Sequence, residues 1–161
     1  MKVKQGYAYH IKNQFFIYVN DKSLMVNKGK NNYRPHYYTV RDTNNKDIYW
    51  MIPISSKVKK YKNIIKQKQK EFGQCNTIFI GIFAGVDRAF LIQNAFPITK
   101  DYIHHIHTVK GNPITIQKQL QKTLEQNLKN IINIHMQGTK VFYADVEKIY
   151  NYLEQKLNNQ P

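Results

Sequence analysis

The sequence predicts an α+β fold, a strongly twisted antiparallel sheet with helices packed on it. Short runs rich in Tyr, Ile, Val and Trp at 6–11, 37–42, 47–54, 77–84 and 86–92 are broken by turn residues. Two later segments instead repeat apolar residues at helical spacing. The 161-residue chain holds no internal repeat and no separating linker, so 1–161 reads as a single domain.

GYAYHI at 6–11 alternates weakly and reads as a first strand, and 13–19 as a short helix. Residues 20–32 are polar and read as a long loop, a length that usually carries function. The clearest strand signal is the pair 37–42 and 47–54 around Thr43-Asn44-Asn45-Lys46. Tyr38 and Val40 share one face of the first strand, and Ile48, Trp50 and Ile52 one face of the second. Pro53 cannot donate to a ladder, so it predicts an edge or exit position. Ser55 is placed as N-cap of a helix with Val58, Tyr61 and Ile65 inward. Residues 77–84 and 86–92 form a second hairpin around Gly85. TIFIGIFA is apolar on both faces and predicts the buried central strand. Residues 99–107 read as a helical turn or irregular. A long helix over 115–137 has Ile116, Leu120, Leu124, Leu128, Ile131 and Ile132 inward, closed by Gly138. A last helix starts near Asp145, with Val146, Ile149, Leu153 and Leu157 inward.

Composition narrows the partner. The net charge is +15, and it is uneven. Residues 1–72 carry 16 Lys+Arg against 4 Asp+Glu, a net of +12, and residues 73–161 carry 9 against 6, a net of +3. The N-terminal half therefore faces a polyanion. Twelve tyrosines accompany the charge, and aromatic faces stack on unpaired bases while lysines hold phosphates. An AT-biased, Lys- and Asn-rich composition accounts for part of this excess. No apolar run approaches the roughly 20 residues of a membrane span, and the N-terminus lacks the apolar core of a secretory signal. The single Cys75 forms no internal disulfide, which fits a reducing cytoplasm, and reads as a buried thiol.

The densest candidate chemistry lies in PISSKVKKYKNII. With Ser55 as cap, Ser56 becomes the first helical residue, and the amides of Lys57 and Val58 point out of the helix start as an anion site. Lys60, at i+4 from Ser56, would share its face. If 37–42 pairs with 47–54, residues 34–36 arrive at the same end. Arg34 can then hold a phosphate with two donors, and His36 can move a proton near neutral pH. Each feature alone has a plain reading as a cap, a solvated basic face or a surface histidine; their coincidence favours function. His104, His105 and His107 lack a convincing further ligand beyond Asp101, so no metal site is expected. His135 reads as a core or flank residue. The phosphate-binding and nucleophile-elbow glycine motifs are absent, and the few carboxylates speak against a two-metal nuclease. No cofactor is expected.

The stretch YRPHYYTV…NNKDIYWMIPISSKVKKY resembles the signature of the type III toxin–antitoxin endoribonucleases, the ToxN, AbiQ and CptN group. HMQGT at 135–139 also fits, and the compact length is similar to the CptN-like branch. The resemblance implies a barrel-like twisted sheet or partial barrel of MazF/Kid type. It implies metal-independent cleavage of single-stranded, A-rich cellular or phage RNA to 2′,3′-cyclic phosphate and 5′-hydroxyl ends. The implied partner is a small repeated pseudoknot RNA, which the toxin cuts from its precursor and which then inhibits it in a closed protein–RNA assembly. Phage defence by growth arrest is the implied setting.

Ser55 and Ser56 match the family's Ser/Thr-Ser pair. Relatives place a basic residue two positions later, where this chain has Val58, so that role passes to Lys57, Lys59 or Lys60, with helix geometry favouring Lys60. Tyr33, Arg34 and Tyr38 match as RNA or site-shaping residues, and Lys28, Lys30, Lys57 and Lys59 extend the RNA-binding surface. The alternative from another class is a non-catalytic basic RNA-binding module, which would bind with steep salt dependence and leave RNA uncut.

Overall fold

β2 (His36–Arg41) and β3 (Ile48–Ser55) form the predicted hairpin and the middle of the sheet. The computed structural model describes residues 1–28 and 32–161. Around the hairpin lie β1 (Ala8–Ile11), α1 (Asn13–Val19), α2 (Val58–Phe72), β4 (Ile78–Phe83), β5 (Val86–Leu91), β6 (Phe96–Thr99) and β7 (Ile103–Ile106). A two-stranded ribbon, β8 (Thr108–Val109) with β9 (Asn112–Pro113), precedes α3 (Lys118–Met136) and α4 (Val146–Asn158).

The antiparallel sheet runs β4-β5-β3-β2-β1-β7, with β6 also paired to β3. It curls until the rings of Phe83, at the end of β4, and His107, just past β7, stand 5.4 Å apart. No ladder joins those two edges, so the barrel-like expectation is corrected to an open, curled sheet.

The central strand is β3 rather than the TIFIGIFA segment. Every residue of Ile48–Ser55 is buried. β4 is an edge strand with only Ile78 and Phe83 buried, and Ile82 on it is 54% exposed. Pro53 sits inside β3, opposite His36, and not on an edge strand. The Ile54 N–H points to the Pro35 carbonyl on the β2 side. Successive amides alternate sides, so the missing Pro53 donor faces the other way. There β6 has ended at Met51 and β5 has not begun until Ile54, so no ladder bond is lost.

The hairpin turn is held by Asp42. Its carboxylate accepts from the amides of Asn44 and Asn45, from Trp50 Nε1 at 3.0 Å and from Tyr150 Oη on α4 at 2.6 Å. Helix α3 starts three residues later than the 115–137 prediction but buries Leu124, Leu128 and Ile131 as expected. α4 starts beside Asp145 as expected, and the Asp145 side chain caps it by accepting from the Lys148 amide. Residues 103–106, read as a turn, are β7: Ile103 is buried and the backbone pairs with β1. Only Lys100–Tyr102 makes a helical turn. Cys75 is half-buried instead of buried. No helix among the described residues is long and apolar enough to cross a membrane.

Candidate functional site

β3 hands over to α2 through Ser56 and Lys57. Ser55 stays in the ladder, opposite Ala89 of β5, and is 3% exposed. Its Oγ accepts the Lys57 amide at 3.2 Å, so it caps the chain from the end of a strand and not as a helical N-cap. Lys57 has φ −80° and ψ 57°, a tight inverse turn in which the Val58 amide donates to the Ser56 carbonyl at 2.9 Å. The first helical bond runs from Tyr61 N–H to Lys57 O.

These bonds correct the predicted anion site in two ways. The helix begins at Val58, because strand pairing holds Ser55, so Ser56 and Lys60 do not share a helical face. The amides of Lys57 and Val58 are already used, and the open donors are those of Lys59 and Lys60, which make no backbone bond. Ser56, Lys57, Lys59 and Lys60 are exposed around this opening. The Lys60 ammonium also lies 5.4 Å from the Tyr61 ring centroid.

Arg34 arrives at the same junction, as the hairpin required. Its Nη1 donates to Ile54 O at 2.8 Å, its Nε to Val26 O at 3.0 Å, and its own amide to Asn27 O. Burial pulls its pKa below the ordinary arginine value. No carboxylate pairs with it: among the described residues the one ion pair is Glu125–Lys129 on α3. A half-buried cation without a counter-ion, beside a helix N-terminus and exposed lysines, is a place for a phosphate.

His36 is at the right end of the hairpin but not on its surface. It is fully buried, with Phe96 edge-on at 5.4 Å and Phe16 at 6.1 Å, and neither ring nitrogen has a partner among the described residues. Burial first, then the Arg34 charge, pushes its pKa down to about 3. It is neutral near pH 7 and out of reach of RNA, which removes the geometric basis for proton transfer. Tyr38, matched as an RNA or site-shaping residue, lies in the core: it is 4% exposed and packs edge-on against Tyr49 at 5.0 Å.

Tyr33 is 41% exposed and pairs with Lys28 in an isolated bridge, the Lys28 ammonium 5.6 Å from its ring. Both therefore stand on the surface beside Arg34. Lys30 lies outside the described residues. Two residues that the sequence reading passed over complete this corner. Buried Asn27 donates from Nδ2 to Ile11 O at 3.0 Å and to Asn13 Oδ1 at 2.9 Å, and Asn13 Nδ2 reaches Tyr33 Oη at 3.4 Å. Nothing in the spacing of Asn13 and Asn27 announces this network, because it depends on how the loop folds back over the end of β1.

Away from the junction, four histidines cluster on β1, on β7 and just past it. His10 Nε2 lies 2.8 Å from His107 Nδ1, His10 stacks on His105 at 4.5 Å, and His104 Nδ1 lies 2.6 Å from His105 Nδ1. Their nitrogens pair and stack instead of converging, and among the described residues no group of three or more His, Cys, Asp or Glu is placed to hold a metal ion.

No known family profile and no curated protein sequence matches the chain. Solved structures do. One is AbiQ, a lactococcal anti-phage endoribonuclease belonging to the type III toxin–antitoxin system. It aligns with a TM-score of 0.73 at 11% identity, over 97% of this chain and 100% of that one. A second comes from work describing a processed non-coding RNA that regulates a bacterial antiviral system. It aligns with a TM-score of 0.63 at 15% identity, over 96% of this chain and 98% of that one. At such identities the likeness is one of fold, and it runs nearly end to end in both cases.

Proposed function

We propose that the chain is an endoribonuclease toxin of a type III toxin–antitoxin system, which cuts single-stranded RNA without a metal and is restrained by its own repeated pseudoknot RNA in a closed assembly. The observation that carries this reading is the meeting of Arg34 with the Ser55–Lys60 junction through the Ile54 carbonyl. It joins two distant segments around one unpaired cationic corner. The fold shared with an anti-phage endoribonuclease supports the same reading.

The chemistry such a corner can perform is transphosphorylation. The ribose 2′-oxygen gives its proton to solvent water and forms a bond to the adjacent phosphorus, and the P–O5′ bond breaks. The products are a 2′,3′-cyclic phosphate and a 5′-hydroxyl. Arg34, the Ser56 hydroxyl and the open amides of Lys59 and Lys60 are suited to hold charge on the phosphorane. The Lys60 ammonium, with Lys57 and Lys59 alongside, neutralises the phosphate and can return a proton to the leaving 5′-oxygen. Ser55 acts indirectly, by fixing the turn through the Lys57 amide.

The test is cleavage of a labelled single-stranded RNA in excess EDTA, with the ends of the products mapped. Cyclic-phosphate ends, lost in Ser56→Ala and Lys60→Ala variants that remain folded, are the expected result. An absolute metal requirement would sink the mechanism, and tight salt-sensitive binding with intact RNA would favour the binding-module alternative.

A further inference from the structure

We infer that Tyr33 and Asn13 form a subsite for one unpaired nucleobase beside the phosphate corner, with Tyr33 as stacking platform and Asn13 as the group that reads the base edge. The inference rests on the RNA-directed reading above, and needs only that RNA binds at this corner, not that it is cut.

The chemistry of this corner depends on which atom of Asn13 faces where. The Ile11 carbonyl can only accept, so the Asn27 atom 3.0 Å from it is the amide nitrogen. The second N–H of that nitrogen goes to the Asn13 side chain at 2.9 Å, so the Asn13 atom there is its oxygen. Its nitrogen is thereby turned towards the Tyr33 hydroxyl, 3.4 Å away. The orientation of an exposed carboxamide is thus set by a buried one: Asn27 is 6% exposed, and Arg34 N–H holds its backbone carbonyl.

Counting what remains gives the recognition chemistry. Asn13 retains one N–H and one oxygen lone pair, of fixed polarity. A base lying on the Tyr33 ring brings its edge towards the hydroxyl end, where that pair stands. Unpaired bases are recognised in this way, stacked on an aromatic ring and hydrogen-bonded along one edge. Adenine offers the matching acceptor and amino group on its N7/N6 edge, and an asparagine carboxamide meets them with two bonds. Tyr33 directly precedes Arg34, whose guanidinium is held at Val26 O and Ile54 O, so the same RNA strand is proposed to reach both.

The probe is a set of short single-stranded 2′-O-methyl RNAs, which lack the attacking hydroxyl and cannot be cut. They are identical except for A, C, G or U at one position, scanned along the oligonucleotide. For the wild-type protein we expect one position at which affinity differs by about tenfold or more between bases. Asn13→Asp keeps the acceptor for Asn27 but replaces the donor, and should collapse or reorder that ratio; the neutral Asn13→Ala should flatten it. Tyr33→Ala should weaken binding of all four about tenfold, leaving no base favoured. A wild-type ratio that both Asn13 variants leave unchanged overturns the subsite, as does the absence of any base preference. Uncut RNA in the separate cleavage assay would overturn the nuclease reading alone, because the binding ratio does not depend on it.

Discussion

Arg34 Nη1 donates to the Ile54 carbonyl at 2.8 Å, which holds the guanidinium against the last residues of β3, directly before Ser55 and Ser56. With Nε bound to Val26 O, the group spans two backbone segments. A single ammonium cannot reproduce that fork. Arg34→Lys is therefore expected to behave like Arg34→Ala, each losing roughly 100-fold in single-turnover cleavage of single-stranded RNA, the loss typical of removing one preorganised charge-stabilising donor. A lysine variant with near-normal turnover would show that only the charge matters there.

His36 gives a test in the opposite direction. A fully buried imidazole whose nitrogens meet no well-formed hydrogen bond among the described residues costs stability, on the order of 1–3 kcal/mol for an unmet polar group. His36→Leu keeps an apolar side chain between Phe16 and Phe96 and removes that cost. The expected outcome is a higher urea midpoint with cleavage per folded molecule changed by less than about twofold, since a neutral buried ring supplies no proton. Loss of cleavage at full stability would restore His36 to the chemistry.

Acid should unfold the protein earlier than its carboxylates alone would. His10 is pushed down to about 4, first by burial and then by His105, His107 and His104, and His36 is pushed down to about 3. His105 and His107 are lowered too, burial again first. Each binds a proton more readily in the unfolded chain, whose histidines titrate near 6.5, so stability is whole above that value and falls as pH drops towards 4. Urea midpoints measured from pH 7.5 to 4.5 should fall steadily below about 6.5. In a His10→Gln, His36→Leu double variant the fall should be clearly shallower; an identical fall would place the acid sensitivity elsewhere.

How much of this was legible in the sequence depends on whether the cause was local. The 37–54 hairpin was, because strand alternation and an Asx turn at Asp42 are properties of neighbouring residues. It carried with it the arrival of Arg34 at Ser55. The start of α2 was not, because Ser55 has two options: helix capping is local, while pairing with Ala89 involves a strand thirty-odd residues away, and the ladder won. His36 looked like a surface residue beside Pro35, yet α1 and Phe96 close over it. The Asn27–Asn13 network has no spacing signal at all. An apolar run names burial but not which layer covers it, and TIFIGIFA was misplaced for that reason.

Gly81 shows what that run was reporting. It lies mid-strand in β4, where glycine is ordinarily unfavourable, and its backbone conformation needs no glycine. The reason is space: a Cβ there would run into Leu120 Cδ2 and stand 3.2 Å from Cδ1. Leu120 is the third residue of α3, so the strand touches the helix through a bare backbone, and the apolar residues around Gly81 mark a helix contact instead of a central position in the sheet. Gly81→Ala must push Leu120 aside or lift β4 from α3, and such overpacking costs about 1–3 kcal/mol. Leu120→Ala destabilises by opening space instead. The two together should cost less than the sum of the singles, because the alanine methyl enters the room that the leucine left. Urea unfolding of both singles and the double variant checks this. Strict additivity would mean that Gly81 is glycine for some reason other than the approach of Leu120.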